Sequence, residues 1–107
     1  MQKDVIFSED KGTLTAHIQC DVDHHNAKPM REKIDKMLFE RKPHTLVIDF
    51  SMVEFMDSSG LGLILGRVEK ATTVNAEVIL IGASPRIIKL IMRRLSVIRS
   101  LSVAVYT

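Results

Sequence analysis

The sequence predicts a single α/β domain built on a mixed β-sheet, and three observations lead to that fold class. Two segments near the N-terminus alternate apolar and polar residues around a glycine-containing turn, which predicts an antiparallel hairpin. Short apolar runs at 45–50, 77–81 and 103–106 are typical of parallel strands. Amphipathic stretches lie between these runs, so the predicted order is β-β-α-β-α-β-α-β, with the helices packed on the sheet.

Size and composition favour one compact domain over residues 1–107. Of the 107 residues, 46% are hydrophobic and 26% charged, a balance typical of neither disordered nor membrane proteins. No apolar run approaches the roughly 18 residues that a membrane-spanning helix needs, so we expect no membrane span. The polar N-terminus predicts no signal peptide. The single cysteine, Cys20, suits a reducing compartment, and we expect a cytoplasmic protein.

The net charge of +2 conceals an asymmetry along the chain. Residues 1–84 hold 10 Lys or Arg against 13 Asp or Glu, whereas residues 85–107 hold five cations and no acid. No aromatic residues alternate with these cations for base stacking, so we expect no direct contact with nucleic acid. A solvated helix face explains them better. The five are Arg86, Lys89, Arg93, Arg94 and Arg99.

The first half of the chain contains the hairpin and one helix. Apolar residues recur at every second position from Val5 to Phe7 and again from Leu14 to Cys20, with the turn at 9–12. Asn26 is a good N-cap for the helix that follows, and Pro29 fits its first turn. The helix presents an apolar stripe formed by Ala27, Met30, Ile34, Met37 and Leu38.

The chain is organised around the stretch from Thr45 to Lys70. An apolar strand expected to be buried on both faces is followed by a connector, Ser51–Met56, in which Val53 and Phe55 are predicted to face inward. A helix then begins near Ser59, with its stripe at Leu61, Ile64, Leu65 and Val68.

Two glycines within that helix and the start of the next helix complete the pattern. Gly62 and Gly66 cost helix stability, and either packing on the sheet or the close approach of a partner would explain them. Ser84 and Pro85 then predict the start of a third helix. Its inward stripe is Ile87, Ile88, Ile91 and Leu95.

The turn Asp57-Ser58-Ser59-Gly60 is the strongest candidate site. A helix N-terminus offers free backbone N–H groups and partial positive charge, so it can hold a phosphate. Ser58 is either a helix cap or a modified hydroxyl, and Asp57 could cap in its place. Phosphorylation would add about −1.5 to −2 charges, which a carboxylate-bearing partner would not tolerate. One such site could end binding without unfolding the domain.

Catalysis by Ser58 has weaker support. A nucleophile elbow requires glycine where this chain has Met56, and only the loop residues His24 and His25 are candidate bases. No Lys-Ser or Lys-Thr pair follows Gly62, which argues against a P-loop. We therefore do not expect an enzyme.

A second polar cluster lies at the end of the second strand. Asp21, Asp23, His24 and His25 match no zinc or calcium spacing, so we predict no metal and no cofactor. Because ligand sites gather at the carboxyl ends of strands, this loop and the Ser58 loop could share one sheet edge. Asp23 would then lie near Ser58 and could orient its hydroxyl.

Two motifs resemble a known family. The run from Phe55 to Gly62, FMDSSGLG, with ILGR at 64–67, resembles the signature of the STAS domain. More narrowly, it is similar to bacterial anti-anti-sigma factors, most closely the sporulation anti-sigma F factor antagonists. DHHNA at 23–27 resembles the motif that closes their second strand, and the likeness covers nearly the whole chain. The chain departs from the family's Gly-Glu-Leu-Asp by having CDVD at 20–23.

The resemblance implies a partner switch. The unmodified protein would bind an anti-sigma factor that is also a serine kinase of the GHKL ATPase type, and the sigma factor would be released. The kinase would use ATP to phosphorylate Ser58 and end binding, and a PP2C-type phosphatase would restore it. Arg67 is expected on the outer helix face, either as a salt-bridge donor to the partner or as a solvated arginine. The expected partner surface is Asp23, Asp57, Ser58, Ser59, Gly60, Leu61, Gly62 and Arg67.

A second hypothesis from another class stays open. STAS domains also serve as structural subunits of larger signalling or lipid-transport assemblies. High affinity for one soluble kinase would favour the switch, whereas large stable assemblies would favour the structural role.

Overall fold

The computed structural model describes residues 4–95 and 103–106. The elements follow the predicted order: β1 (Val5–Asp10), β2 (Thr13–Ile18), α1 (Ala27–Arg41), β3 (Thr45–Asp49), α2 (Ser58–Thr73), β4 (Glu77–Ile81), α3 (Pro85–Leu95) and β5 (Val103–Tyr106). The five strands form one sheet in the order β1-β2-β3-β4-β5. β1 and β2 are antiparallel and the other neighbours are parallel, which confirms the predicted mixed sheet.

The hairpin closes through a two-residue turn. Lys11 and Gly12 have φ angles of +47° and +82°, so both occupy the left-handed region that such tight turns require. Glycine adopts this conformation without steric cost, and the turn pairs Asp10 with Thr13. Because the turn fixes the register, the alternating apolar residues of β2 all point to one face.

One face of the sheet carries the core. Leu14, Leu46 and Val78 are aligned across β2, β3 and β4, and all three are buried. They share one core cluster with the predicted stripe of α1, and α1 packs against α2. On the opposite face, Val47 is only half-buried. The expectation that β3 is buried on both faces is therefore wrong, because the helices cover only one of them.

Several local predictions also need correction. Asn26 precedes α1 but makes no side-chain cap hydrogen bond. Val53 is buried as predicted, whereas Phe55 is 52% exposed and Met56 takes the inward position. Leu95 was predicted to belong to the inward stripe of the third helix, and Arg94 and Arg99 to a solvated basic face. These three side chains lie outside the part of the chain that the structure describes. Within the described residues, no helix is long and apolar enough to cross a membrane.

Candidate functional site

Ser58 is the first residue of α2, and its neighbour forms the cap. The Asp57 carboxylate accepts a hydrogen bond from the Ser59 backbone N–H at 2.8 Å. Ser58 is exposed, and its hydroxyl has no hydrogen-bond partner among the described residues. Because Asp57 fills the capping role, the Ser58 hydroxyl is free for chemistry at a positively polarised helix end.

The loop after β2 and the loop before α2 are joined through their backbones. Val22 and Met56 form a parallel β-bridge. The Val22 N–H donates to the Phe55 carbonyl at 3.1 Å, and the Asp57 N–H donates to the Val22 carbonyl at 3.1 Å. The prediction that both loops share one sheet edge is confirmed.

Asp23 organises its own loop instead of contacting Ser58. Its carboxylate accepts hydrogen bonds from the backbone N–H groups of His25, at 2.8 Å, and Asn26, at 3.1 Å. These two bonds hold the pKa of Asp23 below its ordinary value. Among the described residues, no hydrogen bond links Asp23 to Ser58, so the expected direct orientation of the hydroxyl is absent.

Asn26 and Asp21 complete this loop. The Asn26 side chain accepts from the Asp23 N–H at 3.0 Å and donates to the Asp21 carbonyl at 2.7 Å. It therefore closes the loop and leaves the start of α1 without a side-chain cap. The Asp21 carboxylate accepts from the backbone N–H groups of Glu54 and Phe55 at 2.9 and 3.0 Å. Although CDVD at 20–23 departs from the usual family motif, its first acidic residue, Asp21, holds the connector before Ser58 in place.

The inner side of α2 is filled by side chains. Gly60 and Leu61 are buried, and a Cβ at Gly60 would lie 2.0 Å from the Met56 side chain. Of the expected partner surface, Ser58 and Gly62 are exposed, while Asp23, Asp57 and Ser59 are half-buried. Direct contact with a partner is thus open to fewer residues than the sequence motif contains.

The prediction for Arg67 is wrong. Its side chain is only 2% exposed and lies between α1 and α2, with Nε 2.7 Å from the Asp35 carboxylate. Burial lowers the pKa of Arg67, while the negative charge of Asp35 acts in the opposite direction. The pattern ILGR suggested an outer arginine because charged residues are rarely buried, and Asp35, 32 positions earlier, gave no local signal.

The two helix glycines are open. Within residues 4–95 and 103–106, a Cβ at Gly62 or Gly66 would meet nothing within 4 Å. Packing on the sheet therefore does not explain them, and the approach of a partner stays a prediction.

Two grooves with basic residues flank the Ser58 loop, and sequence reasoning missed both. The first has a volume of about 300 Å³ and lies between α1 and α2, where Lys28 and Arg31 face Ser59 and Gly62. The second, also about 300 Å³, lies between Phe55 and α3. For the second groove, the cluster of cations after residue 84 was the available signal, but only the fold places it beside this loop.

Other chemistry finds little support at this edge. His24 and His25 contact each other, with ring centroids 3.9 Å apart, and neither hydrogen-bonds to Ser58. Burial and the negative charges of Asp4, Asp21 and Asp23 raise the pKa of the Cys20 thiol, which disfavours a reactive thiolate. Residues 4–95 and 103–106 contain no group of three or more His, Cys, Asp or Glu side chains that could hold a metal ion.

Fold and site together define the class of protein. The family model described as STAS domain matches residues 5–106, and the chain belongs to this family.

Relatives within the family have named roles. The Anti-sigma F factor antagonist of Lysinibacillus sphaericus is 34% identical over 73 residues, which are 68% of this chain and 62% of that protein. The alignment thus spans less than two-thirds of that relative's length. The anti-sigma factor antagonist SpoIIAA in its unphosphorylated form is 26% identical with a TM-score of 0.69, covering 90% of this chain and 96% of that chain. The Bacillus cell fate determinant SpoIIAA in its phosphorylated form is 28% identical with a TM-score of 0.71, covering 96% of this chain and 91% of that one.

Proposed function

We propose that this protein is an anti-sigma factor antagonist that phosphorylation of Ser58 switches off. The observation that supports this most is the exposed Ser58 hydroxyl, which has no hydrogen-bond partner in the described part of the chain, beside a helix cap that Asp57 already supplies. The relatives named above, which include one unphosphorylated and one phosphorylated SpoIIAA structure, support the same role. In the unmodified form the protein binds an anti-sigma factor, which releases its sigma factor.

The switching reaction is a phosphoryl transfer from ATP. The Ser58 Oγ forms a bond to the γ-phosphorus, the bond from that phosphorus to the β,γ-bridging oxygen breaks, and ADP leaves. A base of the kinase takes the hydroxyl proton. A PP2C-type phosphatase reverses the modification by hydrolysis. The STAS protein is thus the substrate and the binding module, acting in the cytoplasm, while the GHKL-type kinase and the phosphatase carry out the chemistry.

The surroundings of Ser58 are suited to both states. The N-terminus of α2 stabilises an added negative charge, and Lys28 and Arg31 lie in the groove next to Ser59. The fold therefore tolerates the phosphate, whereas a partner that presents carboxylates at this edge is repelled.

Intact mass spectrometry after incubation with a sporulation-type anti-sigma kinase and ATP tests this proposal. Wild type should gain one phosphate, roughly 80 Da. Ser58→Ala should gain none, and the matched control Ser59→Ala should be modified like wild type. Modification of Ser58→Ala, or no modification of wild type, would contradict the proposal and favour a structural STAS subunit.

A further inference from the structure

The second groove beside the Ser58 loop combines apolar surface with positive charge. We call it the α3 groove; its apolar lining is Phe55, Met56 and Leu90, and its cationic lining is Arg86, Lys89 and Arg93. We infer that the α3 groove docks an acidic amphipathic helix of the protein partner. This inference rests on the proposed function and names the chemistry of the surface that the partner presents.

Phe55 is held in place with its side chain half in solvent. Its N–H donates to the Asp21 carboxylate at 3.0 Å, and its carbonyl accepts from the Val22 N–H at 3.1 Å. The ring nevertheless remains 52% exposed. An aromatic side chain has only two rotatable bonds, so an exposed Phe on a fixed backbone loses little conformational freedom on binding, which suits an interface anchor.

The charge of the groove selects the partner. Arg86 and Lys89 are exposed on α3, and the sequence from residue 85 to the C-terminus contains no acid. A helix with one apolar face and flanking carboxylates matches this arrangement, because its apolar side chains meet Phe55 and Leu90 while its acids meet the cations. A nucleic acid would satisfy the charges but would leave the apolar lining without a complementary surface.

The groove also explains how one phosphate could end binding. Phe55, in the connector, lies only three positions before Ser58, the first residue of α2, so a phosphate on Ser58 adds negative charge beside the surface that attracts carboxylates. It weakens the positive potential of the α3 groove and repels the acidic partner directly. The attraction and the repulsion therefore act on the same partner surface.

Charge reversal at the groove tests the inference against a matched control. The test variant is Arg86→Glu with Lys89→Glu; the control is Lys11→Glu with Lys42→Glu, which changes two exposed cations in turns remote from α3. Both positions are exposed, and an acid at position 86 lies in the first turn of α3, where it suits the helix dipole, so the test variant should fold. Affinity for the anti-sigma kinase would be measured by titration calorimetry at low and high salt.

We expect the test variant to bind about tenfold more weakly with a flatter salt dependence, and the control to bind within about twofold of wild type. Phe55→Ser should also weaken binding about tenfold, but with an unchanged salt dependence.

If wild type binds and is phosphorylated while all three variants bind equally, the groove inference is wrong and the proposed function stands. If wild type does not bind the kinase, both fail. If charge reversal instead removes binding to a DNA duplex alone, the groove is a nucleic-acid surface and the inference is overturned.

Discussion

The inner and outer faces of α2 differ in how tightly the fold determines them. On the inner face, Gly60 lies against Met56, and Arg67 is buried beside Asp35. On the outer face, Ser58 is exposed, and a Cβ at Gly62 would meet no other described residue within 4 Å. The comparison teaches that one short motif holds both residues needed for folding and residues left available for a partner. A modification on the outer face can therefore change binding without disturbing the core.

The largest effect should come from breaking the buried ion pair. Asp35→Ala leaves the Arg67 guanidinium uncompensated between two helices, and we expect the free energy of unfolding to fall by about 3 kcal/mol. Urea unfolding measures this. Adding Arg67→Met should recover much of the loss, because the uncompensated charge is then gone. If Asp35→Ala alone were as stable as wild type, the inner face would tolerate an unpaired charge, and the prediction would be wrong.

Alanine substitutions at Gly60 and Gly62 test the difference between the inner and outer faces of α2 directly. Gly60→Ala would place its methyl group against Met56, so we expect a loss of about 1–3 kcal/mol from overpacking. Gly62→Ala meets nothing and should gain up to about 1 kcal/mol from helix propensity. Thermal unfolding of the two variants tests the contrast. If a partner approaches Gly62, the same alanine weakens kinase binding despite its higher stability; equal stability changes in both variants would contradict the assignment of faces.

The helix start offers a smaller contrast. Asp57→Ala removes the hydrogen bond to Ser59 and should cost about 1 kcal/mol, while Ser58→Ala should change stability by less than about 0.5 kcal/mol. Chemical denaturation of both variants provides the measurement. A larger loss for Ser58→Ala than for Asp57→Ala would make Ser58 the cap.

The smallest effect is a local response to acid. Since the pKa of Asp23 is depressed below its ordinary 3.8, its contribution is present above that pH and is lost as pH falls through the lower folded value. NMR titration should show the His25 and Asn26 amides shifting below pH 3.8, when the carboxylate that accepts their hydrogen bonds is protonated. Asp23→Asn should abolish this step. A titration step centred above pH 3.8 would contradict this prediction, because it would show that the pKa of Asp23 is raised in the folded protein.

The sequence predicted the fold well because its signals were local. Alternation in β2, the stripe of α1 and the helix start near Ser59 each depend on neighbouring residues, and all three were confirmed. Asp57 as the cap was one of two alternatives, which the hydrogen bond to Ser59 decided.

The errors involve contacts between distant segments. The buried Arg67 is paired with Asp35 on the facing helix, and the exposed Phe55 is held through its backbone by Asp21. Neither partner is close in sequence, so periodicity alone could not identify it. The α3 groove was missed for the same reason, since Phe55 and Arg86 meet only in the folded protein.

The most direct test of the switch compares unmodified protein with protein phosphorylated at Ser58, in both binding and unfolding. Affinity for the anti-sigma kinase would be measured by calorimetry, and stability by urea unfolding of the same two preparations. We expect unfolding free energies within about 1 kcal/mol of each other, because the helix N-terminus accepts the charge. Affinity should fall at least about a hundredfold, since like charges across an interface cost several kcal/mol. Equal affinity, or loss of binding only through unfolding, would contradict the outward switch.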